Sequence, residues 1–226
     1  MPTTSKTGTT RIAVVLDRSG SMGPLAPEVI SGFNSWLKDT KKAFKGQQAR
    51  ISVLLFDNMV EHWVEDVPLS ALGKLTSDTY AVRGMTALRD AFAGALVSLM
   101  AAKHGKQDKM ICIITTDGME NASREWTTAE LRKLIAKFEK AKGEIVYLGA
   151  NQDAFAVGAS YGLTAGQTVS TRSDQYGTRA IFATASSGMQ SSAGGQSVNS
   201  GMTQAVYDSA FEAAKKDDDD KDKDKK

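Results

Sequence analysis

The sequence predicts an α/β protein: a doubly wound, mostly parallel sheet with one antiparallel edge strand and helices on both faces. Three observations carry this. Apolar runs alternate along the chain with segments whose apolar residues recur every three or four positions. The first run is nearly continuous, which suits a strand covered on both faces. One pair of runs is joined by a short Asp-Asn turn, which makes an antiparallel hairpin at the sheet edge.

Residues 1–10 read as a disordered lead-in. "RIAVVLD" (11–17) is the first buried strand. From Pro27 the period changes, and Val29, Ile30, Phe33, Trp36, Leu37 and Phe44 form the apolar stripe of a helix that Gly46 ends. "ARISVLLFD" (49–57) and "VEHWVED" (60–66) make the hairpin, with Asp57 and Asn58 as turn formers. "LSALGKL" is a short helix or turn. "TALRDAFAGALVSLMAAK" (86–103) is a helix apolar along Leu88, Phe92, Leu96 and Leu99.

"KMICIITTD" (109–117) is another buried strand, and the helix at 127–142 opens on Thr-Thr-Ala-Glu, a capping-box pattern. "EIVYLGA" (144–150) is a strand, 153–162 a short helix and 167–171 a short edge strand. Together these describe a Rossmann-like domain over 11–172. Residues 173–192 read as a C-terminal helix packed on that domain, and 193–214 as a Gly/Ser-rich linker followed by a short helix. Residues 215–226 hold six lysines, six aspartates and no apolar residue, so they read as a disordered, solvated tail. "DDDDK" within it also resembles a protease-recognition sequence of expression tags.

Hydrophobic and charged contents of 41% and 24% are those of a soluble globular protein, and 226 residues can bury a substantial core. A net charge of +2, with no basic stripe carrying interleaved aromatics, argues against a nucleic-acid partner. No run reaches the roughly 18 apolar residues of a membrane span, and the polar N-terminus has no signal-peptide core. The single cysteine, Cys112, has no disulfide partner and reads as a small buried hydrophobe. These features point to the cytoplasm.

Three places carry chemistry: Asp17, Ser19 and Ser21 after the first strand, Thr86 at the start of the second long helix, and Asp117 at the end of "IITTD". In a doubly wound sheet the first strand lies beside the strand that begins the other half, and the crevice outside their carboxyl ends binds ligands. Asp17 and Asp117 close those two strands, and Thr86 lies in the connection leading to the same rim. The set is hydroxyls and carboxylates only. All-oxygen coordination selects Mg²⁺, Mn²⁺ or Ca²⁺ over zinc or copper, and so few ligands leave an open position for a partner's carboxylate. Ser19 and Ser21 taken alone also fit a helix-capping role, and Gly20 and Gly23 supply backbone freedom for the loop.

D-x-S-x-S after a buried strand, a threonine in "GMTALRDA" and "TDG" after a later strand together resemble the metal-ion-dependent adhesion site of the von Willebrand factor type A (vWA) domain. "YLGANQDAFAVGASYG" is similar to stand-alone vWA proteins of bacteria and their phages. Met85 stands where many members have a second glycine. The resemblance implies that Ser19, Ser21 and Thr86 bind a cation directly or nearly so, with Asp17 and Asp117 acting partly through water. It also implies a protein partner that supplies an acidic residue.

The leading expectation is therefore a non-enzymatic, cation-dependent protein-binding domain. Two alternatives stand beside it. One is a Mg²⁺-dependent phosphotransferase of haloacid-dehalogenase type with Asp17 as nucleophile, although such sites need a second acid where this chain has Ser19. The other is a phage or bacterial assembly component, or a partner of an AAA+ ATPase on another chain, since no G-x-x-x-x-G-K-[ST] occurs here. His62 and His104 lack a nucleophile partner, and Trp36, Trp63 and Trp126 read as core. Glu120 and Asn121 read as shaping the rim after Asp117.

Overall fold

The first strand, β1 (Thr10–Asp17), runs through the middle of the sheet and is almost wholly buried. The computed structural model describes residues 8–102, 105–150 and 153–223. The elements follow as α1 (Ala26–Ala43), β2 (Ala49–Phe56), β3 (Val60–Pro68), α2 (Leu88–Ala101), β4 (Lys109–Thr116), α3 (Thr128–Lys140), β5 (Gly143–Ala150), α4 (Ala154–Tyr161), β6 (Thr168–Thr171), α5 (Gln175–Ala193) and α6 (Gln204–Lys223). Short 3-10 turns lie at Gly20–Leu25, Leu69–Ala71, Ala165–Gln167 and Val198–Ser200.

Strand order is β3-β2-β1-β4-β5-β6, parallel except for β3, which pairs antiparallel with β2 through the expected hairpin. The period-2 geometry of a strand divides the apolar residues of β1 between two cores. Ile12, Val14 and Leu16 join the layer under α1 and α5, while Ala13 and Val15 join the layer under α2, α3 and α4. Trp36 is core as expected, whereas Trp63 and Trp126, read as core, are half-buried and pack against the two layers. Cys112 is fully buried, and that burial pushes its thiol pKa upward. No helix among the described residues is long and apolar enough to cross a membrane.

Local signals behave as their chemistry dictates. Thr127 and Glu130 close a reciprocal capping box at α3, and Gly46 takes a left-handed backbone (φ +83°) just after α1. Four expectations shift. Thr10, read with the lead-in, already belongs to β1, while residues 1–7 lie outside the described residues. The second long helix begins at Leu88, because the Thr86 backbone is held by Asn121 and Ala122 instead of by helical partners. Lys103, placed at its end, and the following His104 lie outside the described residues.

The stretch after α5, read as a linker, is a packed turn in which Val198 and Met202 are fully buried. Its small residues permit close approach: a Cβ on Gly188 would collide with Met202, and one on Gly201 with the Ser187 carbonyl. Finally, α6 continues to Lys223 through residues read as a disordered tail. Asp218, inside that run, pairs with Arg179 of α5 at 3.0 Å, and Tyr207 and Phe211 anchor the preceding turns. Residues 224–226 lie outside the described residues.

Candidate metal centre

Register brings the two acids together. β1 and β4 pair in parallel with Leu16 opposite Thr115, so Asp17 and Asp117 leave adjacent strands at the same carboxyl edge. Asp17 is 1% and Asp117 5% exposed. The Asp17 carboxylate accepts the Ser19 N–H at 2.7 Å on Oδ1 and the Thr116 hydroxyl at 2.6 Å on Oδ2. Tyr80, also buried, donates its hydroxyl to the Asp17 carbonyl.

The serine loop ties the end of β1 to the end of β4. Ser19 occupies the N-cap of the Gly20–Leu25 turn, yet its side chain makes no capping hydrogen bond. Its hydroxyl lies 3.2 Å from Ser21 Oγ, and Ser21 Oγ in turn donates to Asp117 Oδ1 at 2.6 Å. Ser19 and Asp117 are buried and Ser21 exposed, so the chain of oxygens reaches solvent at its middle member.

Thr86 is held by the loop that follows β4. Asn121 Oδ1 accepts its N–H at 2.8 Å, and the Thr86 carbonyl accepts the N–H groups of Asn121 at 3.0 Å and Ala122 at 3.2 Å. Its hydroxyl has no hydrogen-bond partner among the described residues. A Cβ placed on Gly118 would stand 2.8 Å from Thr86 Oγ1 and 3.6 Å from Asp17 Oδ2, so both oxygens flank the same bare face of that glycine. Gly84, rather than Gly20 or Gly23, supplies the left-handed backbone (φ +68°), and a Cβ there would collide with Asn58. All five sequence-predicted residues thus converge on one edge.

The electrostatics are one-sided. Burial, and secondarily the neighbouring Asp117 charge, push Asp17 above the usual carboxylate range despite hydrogen bonds from Ser19 and Thr116. Among the described residues neither Asp17 nor Asp117 has an ion-pair partner. The nearest arginine in sequence, Arg18, turns away to Asp57 at 2.9 Å and Glu61 at 2.7 Å. Two close carboxylates with neutral hydroxyls and no counter-charge fit a hard divalent cation. No cluster of three or more His, Cys, Asp or Glu side chains suited to a metal occurs among the described residues.

Several contributors escaped sequence reading. Thr116 looks like any strand threonine, and only register points it at Asp17. Ser173, 56 residues beyond Asp117, donates to Asp117 Oδ2 at 3.1 Å from the segment before α5. Asp57 is the turn former expected, accepting the Met59 N–H at 2.9 Å, but it is also fully buried between Arg18 and Arg83. Burial pushes its carboxyl up, and the hydrogen bonds from Arg83, Met59 and Arg18 outweigh this and hold it below the usual range. Glu120 shapes the rim through Arg89, accepting its backbone N–H at 2.9 Å.

Comparison with solved structures gives the same architecture. The vWA domain of SpRpn10 superposes with a TM-score of 0.53 at 11% identity, covering 76% of this chain and 92% of that one. The chain shares its fold with vWA domains. Pilus adhesin SpaC of Lactobacillus rhamnosus GG superposes with a TM-score of 0.63 at 14% identity, covering 83% of this chain and 31% of SpaC. Proximal thread matrix protein 1 from the mussel byssus, in a form described with a zinc-occupied MIDAS motif, gives 0.55 at 16% identity, with coverages of 75% and 42%. The chain thus spans less than half the length of the last two. Neither a protein-family model nor a curated protein sequence matches it.

Proposed function

We propose that Asp17, Ser19, Ser21, Thr86 and Asp117 hold one divalent cation, Mg²⁺ or alternatively Mn²⁺ or Ca²⁺, and that the chain is a non-enzymatic protein-binding domain. When bound, the ion offers an electrophilic position that takes an acidic side chain from a partner protein. The supporting observation is the unbroken run of oxygens from Ser19 through Ser21 to Asp117, placed beside Asp17, with no ion-pair partner on either acid among the described residues. The chain's own residues do the rest. Asn121 fixes Thr86, Thr116 fixes Asp17, and Ser173 fixes Asp117.

The adhesins and vWA domain among the structural neighbours agree with a binding role. A phosphotransferase reading lacks its second acid, because Ser19 occupies that position. The partner is an acidic surface of another protein, with an AAA+ ATPase or a phage or bacterial complex as the candidate classes. Thermal unfolding with Mg²⁺ and with EDTA tests the cation. Free ion at about 100 times Kd adds about 2.7 kcal/mol of stability. An unfolding curve that ignores both additions would contradict the proposal.

A further inference from the structure

Among the described residues, the exposed large hydrophobic side chains are Met59, Met85, Val97, Met119 and Phe155. Single exposed apolar residues are normal, whereas a clustering on one surface marks a contact site. Three of these five are methionines on the loops that frame the candidate cation site, exposed by 58% (Met59), 51% (Met85) and 69% (Met119).

Their loops touch one another. Met59 follows Asn58, whose side chain lies against Gly84, and Met85 follows Gly84. Thr86 follows Met85 and stands against Gly118, and Met119 follows Gly118. The Asp57 carbonyl accepts the Ala87 N–H at 2.7 Å, which binds the first loop to the second. Each methionine is therefore one residue from a contact that joins neighbouring loops. Met85, moreover, sits directly beside Thr86. Methionine is flexible and polarisable, and surfaces built from it adapt to varied apolar partners.

We infer that these three methionines form an apolar rim that selects the partner segment: an acidic side chain with apolar neighbours, in preference to an acidic side chain in a polar stretch. This rests on the cation reading above. The occupant follows from complementarity on both counts, with a carboxylate for the ion and apolar flanks for the rim. A wholly polar acidic peptide would satisfy the ion and leave the methionines wet.

The test uses the full chain in Mg²⁺ and two probes, Ac-Gly-Leu-Asp-Leu-Gly-NH₂ and Ac-Gly-Ser-Asp-Ser-Gly-NH₂, with affinities from chemical-shift titration. The leucine-flanked probe is expected to bind the unmodified protein about fivefold or more tighter. In the combined Met59→Ser, Met85→Ser, Met119→Ser variant the two probes should bind equally. Val97→Ser, on α2, should leave the preference intact. Equal binding of the two probes to the unmodified protein, or a preference that survives the triple substitution, overturns the rim. Mn²⁺ binding measured on the same samples separates the two levels. Bound Mn²⁺ without probe preference, or without any probe binding, overturns the rim alone, and no bound Mn²⁺ overturns the cation reading as well.

Discussion

Ser21 Oγ donates to Asp117 Oδ1 at 2.6 Å, joining residues 96 apart and tying the loop after β1 to the end of β4. An exposed serine on a short turn gains little fold stability from such a bond, but it holds two candidate ligands in mutual reach. Ser21→Ala is expected to weaken Mn²⁺ binding about tenfold or more. Stability in urea should change by no more than about 0.5 kcal/mol. Calorimetric titration beside chemical unfolding separates the two effects.

Gly118 is the second lever. Its missing side chain leaves space against Thr86 Oγ1 and Asp17 Oδ2. Gly118→Ala should displace the Thr86 hydroxyl and cost about tenfold or more in cation affinity. The far-ultraviolet circular dichroism spectrum should stay unchanged. Retention of full affinity would mean that Thr86 does not contribute.

Asp57 governs the acid limit. Its carboxyl is held below the usual range, so the folded state binds fewer protons than the unfolded state as pH falls. The stability it contributes is present above the ordinary carboxylate pKa and is lost as pH drops through the lower folded value. Asp57→Asn, which leaves buried Arg18 with only the exposed Glu61 as counter-charge, should cost about 2 kcal/mol or more at pH 7. Urea unfolding at pH 7 and near pH 3 should show the gap between variant and parent narrowing in acid.

Met202 tests the C-terminal packing. It is fully buried against the Gly188 position of α5 in a stretch whose composition resembles a linker. Met202→Ala should destabilise the chain by about 2 kcal/mol or more, as for other buried methionines. A true linker residue would show no change in the denaturant midpoint.

These residues also explain what could and could not be read from the sequence. β1, β2, β4 and β5 are apolar enough to announce themselves, and alternation with helices then orders the sheet. Asp17, Ser19, Ser21, Thr86 and Asp117 carry a recognisable spacing of residue types. Thr116 and Ser173 carry none, because their roles depend on strand register and on where the chain returns before α5. The turn at 194–203 misled for a related reason. Small residues signal flexibility in isolation, but here they allow α5 and the following turn to approach closely enough to bury Val198 and Met202.

If Asp17, Ser19, Ser21, Thr86 and Asp117 hold one divalent cation, this edge of the sheet binds Mn²⁺ one to one. Electron paramagnetic resonance of Mn²⁺ titrated into the unmodified chain and a Ser21→Ala, Thr86→Ala variant measures this. One bound ion per chain is expected, displaced by Mg²⁺ and strongly weakened in the variant. A free-ion spectrum throughout the titration, or binding of equal strength in both proteins, would contradict it.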